Sequence, residues 1–503
     1  MVYFILSYYG DYAGFRSKDG VFVVFSSLLF LYAFFPLNIL CYRFAPSLKA
    51  KNWVMLVFSL IFYAWAGPVY VLLLVGMTYV DYIAAMWIDR SKRVSERKRW
   101  LFRGCAINLG LLCIFKYLTF LFQNFHNWFG FPWVPKIALP IGISFYTFQL
   151  ISYMVDVYRE QVPAQRDFKV LLLYISLFHQ CIAGPIVRYE TIEQELTGRK
   201  FRRSDMAGGI RRFTIGLAKK ALFANYCGTM ANSFLVDTGA ADQLTVILNK
   251  PALSIWLGTV FYTLQIYLDF SAYSDMAIGM GQMIGFHYDE NFNYPYCASS
   301  IRDFWRRWHM SLSSFFRDYV YIPLGGNRRS LPRVILNTFI VWALTGFWHG
   351  ASWNYVLWGL YYFVALMIER YILRGLPEKL PKWANRVYVL GIIGFGWLLF
   401  RCEDLAVLQA AVRGLFGLNG NGFTSYETNT LLFSNLFFLI AACVACTPWL
   451  MNQGEKLALR AERKKGAMRL QQLVQVFSPM VLMLLSTAAL VGDSYNPFLY
   501  FRF

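Results

Sequence analysis

Charge and histidine are scarce in this chain. Only 15% of its 503 residues are Asp, Glu, Lys or Arg, and only five are histidine. Soluble domains run at about 25% charged, so a water-solvated surface of ordinary composition is excluded. The nucleotide-phosphate cradle, the helical zinc motif and the serine elbow are also missing: there is no Walker loop, no HExxH and no GxSxG. Gly279-Met-Gly-Gln-Met-Ile-Gly285 has the wrong spacing for a dinucleotide fingerprint and no strand before it. Nine cysteines are scattered through apolar runs, and the one close pair, Cys443 and Cys446, lies inside such a run. They read as small buried residues, so no metal or redox site is expected. Met1–Gly20 has neither the basic start nor the small-residue cleavage pattern of a signal peptide.

What the chain has is apolar length: 57% of residues are hydrophobic and 19% aromatic. Crossing a hydrocarbon core of about 30 Å takes about 20 helical residues. Apolar stretches near 21–42, 53–66, 70–88, 104–124, 138–157, 213–236, 252–285, 334–349, 352–373, 388–400, 429–449 and 473–492 are the spanning candidates. The expected fold is an all-α polytopic membrane protein of about 11 transmembrane helices with re-entrant and amphipathic segments. It forms one membrane-embedded body over 21–503 after an N-terminal extension at 1–20. Val170–Pro185 is too short to span and ends in a Gly-Pro break, which predicts a re-entrant or interfacial segment.

The formal charge of +20 invites a nucleic-acid reading. The Lys and Arg lie instead in short loops between apolar runs: Arg90–Arg103, Arg188–Arg212, Arg302–Arg333, Arg370–Arg386 and Lys456–Arg469. The positive-inside rule sends these loops to the cytosol. The alternate connections, His126–Lys136, Asp237–Lys250 and Cys402–Thr428, then face outward, and alternation puts both termini outside. No nucleic-acid partner is expected; membrane lipids are.

The five histidines form the short roster of acid/base groups. His349 ends a short apolar run in Leu344-Thr-Gly-Phe-Trp-His-Gly350. An ionisable group there is costly and usually faces a bundle interior. On a helix, Thr338, Trp342, Thr345 and His349 share one face, so a polar stripe should point inward. The bland alternative is a structural histidine bonded to a neighbouring helix. His309 lies in a basic segment, Arg302–Tyr319. On a continuous helical wheel Phe304, Trp305, Trp308, Leu312, Phe315, Phe316 and Tyr319 make an apolar arc beside Arg302, Arg306, Ser313 and Arg317, with His309 on the border. Its bland alternative is an interfacial anchor for lipid headgroups. His126, His179 and His287 lack comparable polar company and are read as structural. Asp269 and Asp275 stand out within a span: one reading is a polar lining with Gln265, another is Asp275 holding helix packing.

These residues resemble the membrane-bound O-acyltransferase family: a histidine in an amphipathic cytosol-side segment, then a second in a Trp-His-Gly turn. Leu139-Pro-Ile-Gly-Ile-Ser-Phe-Tyr146 and Ala183-Gly-Pro-Ile-Val-Arg188 extend the likeness over most of the chain. Asp318-Tyr-Val-Tyr-Ile-Pro-Leu-Gly-Gly-Asn-Arg328 and Trp348-His-Gly-Ala-Ser-Trp-Asn-Tyr-Val-Leu-Trp-Gly359 resemble the bacterial alginate O-acetylation branch. The resemblance implies a central tunnel with His349 as main catalytic residue and His309 as its partner. It also implies a multi-pass protein of the bacterial inner membrane, with no bound cofactor and acetyl-CoA or an acyl carrier thioester as donor on the cytosolic side. Hand-off to an exported SGNH-hydrolase-like acetyltransferase for polysaccharide O-acetylation is implied too.

The chemistry agrees, since acyl transfer from a thioester needs a base near a hydroxyl and neutral imidazole supplies one near pH 7. Trp348 and Trp353 are expected to wall the cavity, with Trp305, Thr345, Gln265, Asp269, Asp318 and Tyr319 as further lining. Arg302, Arg306, Arg307 and Arg317 are positioned for an anionic donor, since guanidinium pairs phosphate bidentately. Rival readings are D-alanyl transfer to teichoic acid, a secondary transporter, or a scaffold of a secretion complex. A transporter should show inverted repeats and paired broken helices, and none is visible.

Overall fold

The computed structural model describes residues 24–182, 184–374, 379–461 and 465–492. The N-terminal extension at 1–20 lies outside the described residues, as does Ala183 of the Ala183–Arg188 motif. Every element of secondary structure among the described residues is helical. The described residues pack as two units, one within 24–217, 273–290 and 487–492 and one within 218–272 and 291–486.

The first unit begins with α1 (Phe30–Phe44), α2 (Leu48–Ala66), α3 (Pro68–Arg90) and α4 (Val94–Phe129). Ser47 starts α2 by accepting the Ala50 amide, at 3.2 Å, and Pro68 at the head of α3 sits where a missing N–H costs nothing. The 36 residues of α4 make about 54 Å, well beyond a hydrocarbon core. Its basic first turns therefore stand outside the apolar run that begins at Gly104. Buried Asp81 of α3 ties α4 to itself, both carboxylate oxygens accepting from Asn108 at 2.8 and 2.7 Å. Next come α5 (Ile143–Tyr158), α6 (Phe168–Ser176), α7 (Phe178–Cys181), α8 (Tyr189–Gly198) and α9 (Arg203–Ala218).

The expected re-entrant stretch is α6 and α7. The chain breaks at Leu177 and is buried from Leu171 to Ile182, so it is packed inside protein. Gly142 explains its motif: it adopts φ +74°, and a Cβ there would sit 2.4 Å from the Cys181 carbonyl oxygen. Only glycine allows that approach.

The second unit holds α10 (Asn225–Phe234), α11 (Gln243–Leu248) and the start of α12 (Ala252–Met283). Then follow α13 (Ile301–Arg307), α14 (Met310–Phe316), α15 (Leu331–His349), α16 (Trp353–Met367), α17 (Lys382–Arg401) and α18 (Leu405–Leu415). The C-terminal helices are α19 (Tyr426–Ser434), α20 (Leu436–Ala445), α21 (Trp449–Ala461) and α22 (Lys465–Gly492).

Six described helices are long and apolar enough to cross a membrane, or seven if bent α19–α20 is one span. That criterion gives fewer than the expected eleven. Several apolar runs fold into helices that are short, such as α5, or carry buried polar groups, such as α12 with Gln265, Asp269 and Ser271.

Candidate active site

The second unit brings both singled-out histidines to one aromatic cluster, starting from the α15–α16 hairpin. Two glycines let these helices touch backbone to backbone. A Cβ on Gly346 would lie 2.5 Å from the Tyr355 carbonyl oxygen, and one on Gly359 would lie 2.4 Å from that of Trp342. Gly350, directly after His349, faces the Tyr355 ring, where a Cβ would stand 2.3 Å away. The Trp-His-Gly turn is thus glycine because the returning helix occupies the space. Asn354 donates to the Phe400 carbonyl at 3.0 Å and joins α16 to the end of α17. His349 is 5% exposed. Its ring lies 4.9 Å from that of Trp348, 4.8 Å from Trp358 and 5.2 Å from Phe400.

The stripe on α15 is buried at Trp342, Thr345 and His349. Its hydroxyls, however, turn to their own helix: Thr338 donates to Val334 and Thr345 to Val341. Buried Asn337 on α15 donates instead to the carbonyls of Leu324 and Gly326, at 3.2 and 3.3 Å. The Pro-Leu-Gly-Gly run is the turn so held, with Gly325 and Gly326 at φ +104° and +53°.

His309 does not sit on a continuous amphipathic helix. The helix stops at Arg307 and restarts at Met310, with His309 left-handed at φ +43°. The cause is Asn291–Asn293, which lies across the gap. The Asn293 amide donates to the Arg307 carbonyl, and the Met310 amide donates to the Asn291 carbonyl, at 2.9 and 3.0 Å. The Asn291 side chain then accepts at Oδ1 from the Ser311 amide, 3.3 Å, and the Ser311 hydroxyl, 2.9 Å. An amide N–H can only donate, so this atom is the oxygen. His309 Nδ1, 3.1 Å from the same oxygen, must therefore carry the proton, leaving Nε2 as the basic nitrogen. Burial lowers the imidazole pKa to about 3, so the ring stays neutral at physiological pH. It packs edge-on to Phe270 at 4.8 Å and lies 5.8 Å from Trp348. One indole, Trp348, thus contacts both imidazoles.

The other expected residues divide. Trp305 joins the cluster, its ring 4.7 Å from Tyr362, 4.9 Å from Trp342 and 5.5 Å from Trp358. Its helix, α13, is held at its N-terminus by buried Glu369, which accepts the amides of Ile301 and Arg302 at 2.7 and 3.1 Å. Trp353 is 42% exposed at the head of α16, whereas Trp358 lies against His349. Arg302 and Arg306 are exposed. Arg317 pairs with Asp318 at 2.6 and 3.0 Å, and Tyr319 packs on Phe315 at 4.9 Å. Gln265 is buried, as is Asp269, which pairs with Lys220 at 2.7 Å. Lys220 lies on a π-helical turn, Lys219–Ala224. Among the described residues no group of three or more His, Cys, Asp or Glu is arranged to hold a metal.

The sequence matches the membrane-bound O-acyltransferase family over residues 159–411. A probable alginate O-acetylase of Pseudomonas aeruginosa is 34% identical over 96% of this chain and 100% of its own. The chain belongs to the membrane-bound O-acyltransferase family. It is also similar to a peptidoglycan O-acetyltransferase of Helicobacter pylori, 34% identical over 79% of this chain and 80% of that one. A teichoic acid D-alanyltransferase of Bacillus subtilis is 28% identical over 52% and 68%. The chain is therefore an O-acyltransferase and a multi-pass membrane protein.

The remaining histidines of this acyltransferase have more polar company than their neighbours in sequence suggest. In the first unit, fully buried His179 meets the Tyr288 hydroxyl at 2.8 Å through Nδ1, and burial lowers its pKa to about 3. His287 lies 2.6 Å from Glu195 and 3.9 Å from Asp205. His126 closes a loop through the Phe131 carbonyl at 2.7 Å. Asp275 pairs with Arg212 at 3.0 Å, and Arg212 also meets Glu290. Asn291, Lys220 and Glu369 are the residues that sequence reading passed over. Lys220 and Glu369, ionisable residues within the apolar runs 213–236 and 352–373, left a signal there.

Proposed function

We propose that this acyltransferase moves an acetyl group from a cytosolic thioester, acetyl-CoA or an acyl carrier thioester, toward O-acetylation of an extracytoplasmic polysaccharide at the bacterial inner membrane. The observation that carries the proposal is the pair of buried imidazoles in contact with one indole, Trp348. The two acetyl-transferring relatives cover more of the chain than the D-alanyl relative does, which favours acetyl.

In the proposed reaction the imidazole of His349 takes the proton of the acceptor hydroxyl as that oxygen attacks the thioester carbonyl carbon. The C–O bond forms, the C–S bond breaks, and the thiolate leaves and regains a proton. A positioned base contributes about 10² to 10⁴ in rate. His309, neutral with Nε2 as its acceptor, orients the donor or relays the proton. The acceptor side is completed by an exported SGNH-hydrolase-like acetyltransferase that passes the acetyl group to the glycan.

The test measures base-labile acetate on surface glycan in intact cells, for the native chain and His349→Ala at matched membrane expression. The expected result is loss of ester with the protein still present. Unchanged ester would overturn the proposal, and base-labile D-alanine in place of acetate would transfer it to the teichoic acid reaction.

A further inference from the structure

Away from the histidines, in the first unit, α3 and α4 enclose a groove of about 500 Å³ lined almost wholly by apolar atoms. Small residues, Ala84, Gly104 and Ala106, line it beside larger ones such as Tyr79 and Ile107. The two helices are held together by the Asp81–Asn108 hydrogen bonds and by Trp87 stacked on Trp100, ring centres 5.6 Å apart.

Arg103 is the one charged residue in the lining. It stands where the basic turns of α4 end and the apolar run from Gly104 begins, which by the positive-inside rule is the cytosolic headgroup level. Its guanidinium lies over the Trp100 ring, 4.9 Å from the centroid, and so is held at the groove mouth. Arg90, Lys92, Arg93, Lys98 and Arg99 are exposed on the same connection. An apolar slot below a fixed cation, at headgroup depth, matches an amphiphile with an acyl chain and an anionic head.

We infer that the α3–α4 groove is a binding site for an anionic phospholipid of the cytosolic leaflet, its acyl chain between Ala84 and Ala106 and its phosphate at Arg103. A basic residue near the membrane surface is worth about fivefold in binding an anionic lipid. The site therefore distinguishes headgroups as well as holding a chain.

The test uses the full chain in neutral detergent with equal amounts of phosphatidylglycerol and phosphatidylcholine of matched acyl chains, and native mass spectrometry to read the retained lipid. The native protein should retain phosphatidylglycerol over phosphatidylcholine by about fivefold or more. Arg103→Gln should bring that ratio close to unity, while Arg103→Lys keeps it. Arg93→Gln, ten residues or about 15 Å along the helix, should leave it unchanged. Ala106→Trp should fill the groove and abolish retention of both lipids, and Ala106→Ser should not. A native ratio near unity, a preference that survives Arg103→Gln, or retention that survives Ala106→Trp would each overturn the inference.

Discussion

Replacing Asn291 tests the reading of His309 most directly. Asn291 Oδ1 accepts from His309 Nδ1 and from both the amide and hydroxyl of Ser311. Asn291→Ala removes the acceptor that holds the proton on Nδ1 and the ring in its left-handed gap. A buried hydrogen bond of this kind is worth about 1 kcal/mol net, and a stranded buried donor costs about 1–3 kcal/mol. About 1.4 kcal/mol is tenfold, so turnover should fall about 10- to 100-fold, with a smaller change in the donor concentration needed for half-maximal rate. Asn291→Asp keeps the acceptor but adds a negative charge beside the ring, which favours the imidazolium and raises its pKa from about 3. Activity in that variant should decline as pH drops through the raised value, because protonated Nε2 no longer accepts, whereas the native profile carries no inflection from this group between pH 5 and 8. The assay is acetyl transfer in isolated membranes at matched expression, as a function of pH. Full turnover in Asn291→Ala, or one pH profile shared by all three proteins, would refute the reasoning.

Gly350→Ala places a methyl group 2.3 Å from the Tyr355 ring. It should cost about 1–3 kcal/mol, read as a lower melting temperature in detergent, with a larger loss of activity because His349 is the neighbouring residue. Lys220→Met removes the cation that pairs with buried Asp269 and should destabilise by about 3–5 kcal/mol. Lys220→Met with Asp269→Leu should recover most of that loss by thermal melting; a double variant as unstable as the single would contradict the pairing. Both His179 and His309 have pKa values lowered to about 3 by burial. Below about pH 6.5 the unfolded chain therefore binds protons that the folded chain does not, and stability falls as pH falls. At pH 5 this amounts to about 2 kcal/mol per histidine. The drop in melting temperature from pH 7 to 5 should be shallower in His179→Gln, and an equal slope would count against the burial effect.

The amino-acid sequence alone determined the class of this protein, because class is written in local pattern, and it singled out His309 and His349 as candidates. Apolar length marks a membrane helix whatever its neighbours, and Trp348-His-Gly350 is a contiguous motif. The buried face of α15 at Trp342, Thr345 and His349 was legible for the same reason. Tertiary structure alone decided how the histidines are held. The helix around His309 reads as continuous because nothing within it forbids helix; the interruption comes from Asn291–Asn293, which competes for the Arg307 carbonyl and the Met310 amide. Glu369 caps α13 from 68 residues away, and Lys220 reaches Asp269 only once the two helices pack. Such partners are set by which faces meet in space, and periodicity along one helix carries no record of what another helix presents to it. Two isolated imidazoles in the sequence therefore become a pair in contact with Trp348 only when α12, α14 and α15 are brought together.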